Sequence, residues 1–111
     1  MAITSIQTAT AGSVANLVAV VKNTHIAASR YPQGGIRGVH ATPTKVEYFQ
    51  VVAAGGTAVT DYDVVVSQDR ADFTVKCNAK ITAGFLPIGD MSVIQMGPGR
   101  TIEYAQAFTK V

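Results

Sequence analysis

Asp72-Phe73-Thr74-Val75-Lys76-Cys77-Asn78-Ala79-Lys80-Ile81-Thr82 alternates apolar and polar side chains along its whole length. Successive side chains of a β-strand point to opposite faces. The pattern therefore places Phe73, Val75, Cys77, Ala79 and Ile81 on a core and the polar set toward water. Read this way, the stretch predicts a strand of an antiparallel sheet solvated on one side. It also makes Cys77, the only cysteine, a small buried hydrophobe with no partner for an intramolecular disulfide. A nucleophilic thiol needs a nearby base and a lowered pKa, and the sequence neighbours supply neither.

The same pattern extends on both sides. Lys45–Ala53 carries Val46, Tyr48, Phe49, Val51 and Val52. Both parities are apolar toward its end, which predicts a strand covered on both sides or bulged. Gly55-Gly56 has the composition of a tight hairpin turn, Thr57–Ser67 reads as the returning strand, and Asp69–Arg70 as the next turn. Together with 72–82 these predict an antiparallel meander. Gly84, Pro87 and Gly89 mark a loop, Met91–Met96 a short strand, and Gly97-Pro98-Gly99-Arg100 a type II turn. Thr101–Val111 closes the chain as a strand, with Ile102, Tyr104 and Phe108 on one face. Turn signals about every ten residues are the spacing of a sandwich or barrel.

Before Lys45 the reading changes. In Ala11–Lys22, Val14, Leu17, Val18 and Val21 follow helical spacing, with Ser13 placed to cap the N-terminus. The valines favour a strand instead, and the balance predicts a helix from Ser13 to about Asn23. Asn23–His40, with Pro32, Gly34, Gly35 and Gly38, reads as a long irregular connection. Ala2–Ala11 reads as a strand or an extended arm laid on a neighbouring subunit's sheet edge. The expected organisation is one domain over residues 1–111, with an extended arm (1–11), a helix and loop region (12–44) and an antiparallel β core (45–111). The fold class is mainly β, a β-sandwich or barrel-like antiparallel sheet with a short N-terminal helix, and α+β is the alternative. No internal repeat stands out from the sequence.

Only 14% of the residues are charged, against roughly 25% in ordinary soluble domains. So small a chain then has few polar groups with which to cover its exterior, and contact between subunits is one way to cover it. The N-terminus lacks the basic residues and continuous apolar run of a secretory signal, and no apolar run approaches the ~18 residues of a membrane span. A soluble chain made in the cytosol is expected, with no membrane partner.

No constellation selects a chemistry. Asp61, Asp63, Asp69 and Asp72 form the densest group of carboxylates, but their spacing fits no EF-hand and reads as a solvated face. His25 and His40 are too few for a zinc site, and no Gly-x-Ser-x-Gly elbow selects a serine. Gly34-Gly35-Ile36-Arg37-Gly38 lacks the Gly-Lys-Ser/Thr ending of a P-loop and reads as a flexible loop. No catalytic residue, metal or cofactor is expected, and the chain is not read as an enzyme. Charge is placed unevenly: residues 1–46 hold Lys22, Arg30, Arg37 and Lys45 and no acid, for a net +4, and residues 47–111 are net −2. These four side chains are the candidates for contact with a neighbouring subunit or, weakly, with nucleic acid.

A small β-rich chain, poor in charge, rich in Ala, Gly, Thr and Val, with extended termini and glycine loops, resembles bacteriophage virion structural proteins. Capsid decoration (cement) proteins and small coat subunits are the nearest types. It departs from the coat proteins of single-stranded RNA phages, which end in helices where this chain ends in a strand. The resemblance implies a symmetric homo-oligomer bound to a capsid lattice, and hence a virion location. The alternative is a small oligomeric module binding a ligand or nucleic acid.

Overall fold

Ser13 caps the first helix: its hydroxyl accepts the Asn16 N–H at 3.1 Å, and the helix runs Val14–Val20 (α1). Residues 2–42, 45–95 and 102–111 are described by this computed structural model. Ser5–Ala11 (β1) precedes α1, and Arg30–Thr42 (β2) and Lys45–Ala54 (β3) follow it. Then come Asp61–Ser67 (β4), Arg70–Thr82 (α2), Leu86–Gln95 (β5) and Ile102–Lys110 (β6). The strands form two antiparallel three-stranded sheets, in the orders β1-β3-β2 and β4-β6-β5. The fold is mainly β, as the sequence predicts.

The stretch 72–82, however, is helix and not strand. Asp69 caps it by accepting the Ala71 N–H at 2.9 Å, and Asp72 pairs with Lys76 one turn on at 3.1 Å. Alternation misleads here because a step of four residues preserves parity. Phe73 and Cys77 therefore lie on one face of a helix as readily as on one face of a strand. Those two pack inward, against a cluster of Val65, Phe85 and Phe108, while Val75 and Ile81 of the same parity are 68% and 46% exposed.

Further expectations change. Residues 45–82 form no meander, because Gly55-Gly56, both at positive φ, lead from β3 in one sheet to β4 in the other. The connection from Asn23 is structured: a π-helical turn (Val21–His25) and a 3-10 turn (Ile26–Ala28) extend α1, Ser29 breaks them at φ 61°, and β2 begins at Arg30. Glycines 34 and 35 are thus strand residues, and Gly34 sits where the register against β3 shifts. Finally, Ser5–Ala11 is no free arm, since it pairs along its length with β3 of its own chain. In the second half, β5 starts at Leu86 and takes in Pro87 and Gly89 of the predicted loop. The turn predicted at Gly97–Arg100 lies outside the described residues.

The two sheets are two versions of one unit. Each half runs strand, helix, strand, strand, and in each the last strand lies in the middle of the sheet. The ladders correspond position for position: Ser5↔Ala54 through Ala11↔Tyr48 in one sheet, Asp61↔Lys110 through Ser67↔Tyr104 in the other. Both second strands carry Pro-x-Gly, at 32–34 and 87–89, followed by a register shift. Their glycines share nearly one conformation, with Gly34 at φ 69° and Gly89 at φ 65°. Both central strands carry Glu-Tyr-x-Gln, at 47–50 and 103–106. The Gln50 amide donates to the Gln33, Gly34 and Val51 carbonyls, and the Gln106 amide to those of Ile88, Gly89 and Ala107. An internal structural repeat is therefore present.

The halves meet where β2 passes β5. A Cβ on Gly89 would lie 2.0 Å from the Gly35 nitrogen, and one on Gly35 would lie 2.6 Å from the Asp90 carbonyl oxygen. Only glycine permits backbones this close. Around this crossing the main core gathers Leu17 and Val21, Tyr48 and Val52 of the first sheet, and Tyr62 and Val64 of the second. Tyr62 joins the halves further by donating its hydroxyl to Gln50 Oε1 at 2.9 Å.

Candidate interaction face

Strand register sorts the first sheet into two faces. Gln7, Ala9 and Ala11 of β1 share a face with Tyr48, Gln50 and Val52, and this face packs against Leu17 and Val21. On the other face, Ile6, Thr8 and Thr10 lie beside Ala53, Val51 and Phe49. β2 adds Arg37 beside Phe49 and Val39 beside Glu47. There Ile6 is 67% exposed, Val39 50% and Val51 38%. The corresponding residues of the second half, Tyr62, Ile94 and Ala107, are all buried. Their burial follows from position: α1 and the turn after it touch β1 and β3 on one side and β4 on the other, whereas α2 packs on its own sheet. One repeat has its second face covered, and the other leaves the same face largely open to solvent, with Ala53 buried and Phe49 half-buried on it.

The four predicted basic residues do not gather into one patch. Lys22, in the π-helical turn, pairs with Asp61 of β4 at 3.0 Å. Arg30 donates Nε to His25 Nδ1 at 3.1 Å and Nη2 to the Thr24 carbonyl at 3.3 Å. Both are engaged inside the chain. Arg37 and Lys45 lie on the open face, on β2 and at the start of β3. Arg37 is held by Ser92, whose hydroxyl accepts Nη1 at 2.8 Å and itself donates to the Ile36 carbonyl. Beside it a shallow cavity of about 330 Å³, lined by Arg37, Asp90, Ser92 and Val93, opens at the β2–β5 crossing.

The remaining candidates have structural occupations. Burial alone would raise the Asp61 carboxyl, but the Lys22 ammonium and the Tyr62 N–H outweigh it and leave its pKa below the usual carboxylate value. Asp63 pairs with Lys80 of α2, and Asp72 accepts from Ser67 at 2.8 Å. His25 is buried, and both burial and the Arg30 charge hold its pKa below the ordinary imidazole value. Cys77 is half-buried on α2 and burial pushes its thiol up, away from nucleophilic reactivity. His40 lies in β2 opposite Val46. Among the described residues no three His, Cys, Asp or Glu side chains are grouped to hold a metal ion. No helix there is long and apolar enough to cross a membrane.

Sequence reasoning missed the open face because it read β2 as a loop and β1 as either a strand or an arm laid on a neighbouring subunit. The paired Glu-Tyr-x-Gln and Pro-x-Gly motifs were the signal that would have aligned the halves. Comparison with protein-family models, curated proteins and solved structures finds no match.

Proposed function

We propose that this protein is a structural subunit of a symmetric homo-oligomeric assembly, of the kind of a phage capsid decoration (cement) or coat protein, which holds neighbouring surfaces together. The observation that carries the reading is the open face of the first sheet. Its apolar side chains stand in solvent at positions that the second half buries. Burying such a side chain from full exposure contributes about 1.5–3 kcal/mol, and Ile6, Val39 and Val51, 67%, 50% and 38% exposed, would each contribute the corresponding fraction. The molecule is a slab of 44 × 32 × 20 Å, a shape that offers broad faces for lateral contact. Nucleic-acid binding is the weaker reading, because two of the four basic residues are already engaged within the chain.

The test is molar mass in solution by light scattering, with negative-stain imaging, followed by a salt series. A discrete oligomer or closed shell that persists as salt rises is expected, since apolar contacts offer few charges to screen. A monomer at high concentration counts against the proposal. Tight binding to generic DNA or RNA whose affinity falls steeply with salt would replace it with a packaging role.

A further inference from the structure

A sheet edge presents unpaired backbone N–H and C=O groups, which natural proteins protect with charge, proline or a covering element. Among the described residues this fold has four edge strands. β2 and β5 face each other at the glycine crossing. β4 carries Asp61 and Asp63, ion-paired to Lys22 and Lys80. Among the described residues β1 has none of these protections. Its sequence, Ser-Ile-Gln-Thr-Ala-Thr-Ala, holds no charge and no proline, and no charged side chain occurs before Lys22. Five of its seven residues are exposed, the exceptions being Ala9 and Ala11. Among the described residues it is bonded on one side only, to β3.

We infer that β1 is the strand through which two copies of this chain join, edge to edge and antiparallel about a two-fold axis at Thr8. The inference deepens the assembly reading above and rests on it. The occupant is a second copy because the strand is complementary to itself. Centred on Thr8, the pairing sets Thr8 against Thr8 of the partner subunit, Ile6 against the partner's Thr10, and Gln7 against the partner's Ala9. Every apposed pair then keeps its face, since a two-fold at a residue preserves the alternation of the strand. The β-branched pairs lie on the same side as Val51 and Phe49. The open faces of the two copies thereby merge across a six-stranded sheet, uncharged at its centre around Ile6, Thr8, Thr10 and Val51, with Arg37, Glu47 and Lys45 farther out on the β2 side. An uncharged edge sets up no repulsion between identical strands, whereas two copies of β4 would oppose carboxylates.

Cysteine cross-linking in a Cys77→Ser background tests the register. Thr8→Cys should oxidise rapidly to a covalent dimer and Thr10→Cys alone should not, while Ile6→Cys with Thr10→Cys should cross-link. Thr8→Lys, on the exposed side of the strand, should convert the assembly to a species of half the mass or less while leaving the circular dichroism of the fold in place. An oligomer whose mass survives Thr8→Lys, and in which Thr8→Cys fails to cross-link, overturns this interface and leaves the assembly reading standing. A chain that is monomeric at all concentrations overturns both. Cross-linking of Thr10→Cys as fast as Thr8→Cys overturns the register.

Discussion

The two halves share a topology, a ladder register and two motifs, yet they differ in how finished they are. In the second half the central strand is buried on both faces, with Phe108 under α2 and Ala105 and Ala107 toward the other sheet. In the first half the same strand has one covered face and one open face, where Val51 stands in place of Ala107. Local chemistry alone therefore does not decide burial here. Each helix lies on its own sheet, but α1 also reaches the second sheet, so one repeat is completed by its neighbour and the other is left to be completed from outside. Substitutions at paired positions test how far the equivalence goes.

The largest expected effect is at the crossing. Gly34 and Gly89 hold nearly the same positive φ, so alanine at either costs about 1–2 kcal/mol of backbone strain. At Gly34 a new Cβ meets nothing, whereas at Gly89 it collides with the Gly35 backbone. Gly89→Ala is expected to abolish cooperative urea unfolding or lower stability by more than about 3 kcal/mol, within the range of severe point mutations. Gly34→Ala should stay near the strain cost alone. Equal losses would show that the crossing is not the constraint.

Next come the glutamines. Gln50→Leu and Gln106→Leu each strand the carbonyls that the amide served, but only the first also orphans the buried Tyr62 hydroxyl. Gln50→Leu should therefore cost about 1–3 kcal/mol more than Gln106→Leu. In a double-mutant cycle, Tyr62→Phe should remove most of that excess. The helix caps follow. Ser13→Ala and Asp69→Ala should each destabilise by about 1 kcal/mol, seen as a shift of the urea midpoint with unchanged slope.

The smallest effect is on pH dependence. His25 in the first half accepts from Arg30 through Nδ1, and its pKa in the fold lies below the unfolded value. The unfolded chain thus binds the proton more readily. Stability from this site is present above the ordinary histidine pKa of about 6.5 and is lost as pH falls below it. His25→Gln should flatten the stability profile between pH 7 and 5. An unchanged slope there would mean that the imidazole is not held neutral.

The comparison also shows what a sequence of this kind reveals. Lys45–Ala54, read as a strand covered on both sides near its end or bulged, is a strand with Val52 and Ala53 both buried, although Val51 beside them stays exposed. Ser13 is the cap it was expected to be. The helix at 70–82 was hidden by parity, although Asp69 at its start and the Asp72–Lys76 spacing were local evidence for it. Glycine and proline misled in β2 because they read as loop, when Gly35 is required by a strand passing from the other half. That requirement is a property of tertiary structure, and no window of neighbouring residues contains it. The candidate face was illegible for the same reason, since it depends on which residues α1 happens to cover. Of the four basic residues only their presence was legible, and not that Asp61 and His25 would claim two of them.

The middle position of β3 and β6 has a kinetic consequence. In each half the first two strands are not neighbours, and the third must insert between them before either finds a hydrogen-bonding partner. As the chain leaves the ribosome, Ser5–Ala11 waits for residues around Ala54, and Asp61–Ser67 waits for Lys110. Each unit can begin at its later pair of strands, β2 with β3 or β5 with β6, and its first strand joins only after a longer loop closure. Through that interval the bare strand nearest the N-terminus is free to find a nascent copy on the same message, which makes co-translational mispairing the hazard this topology carries.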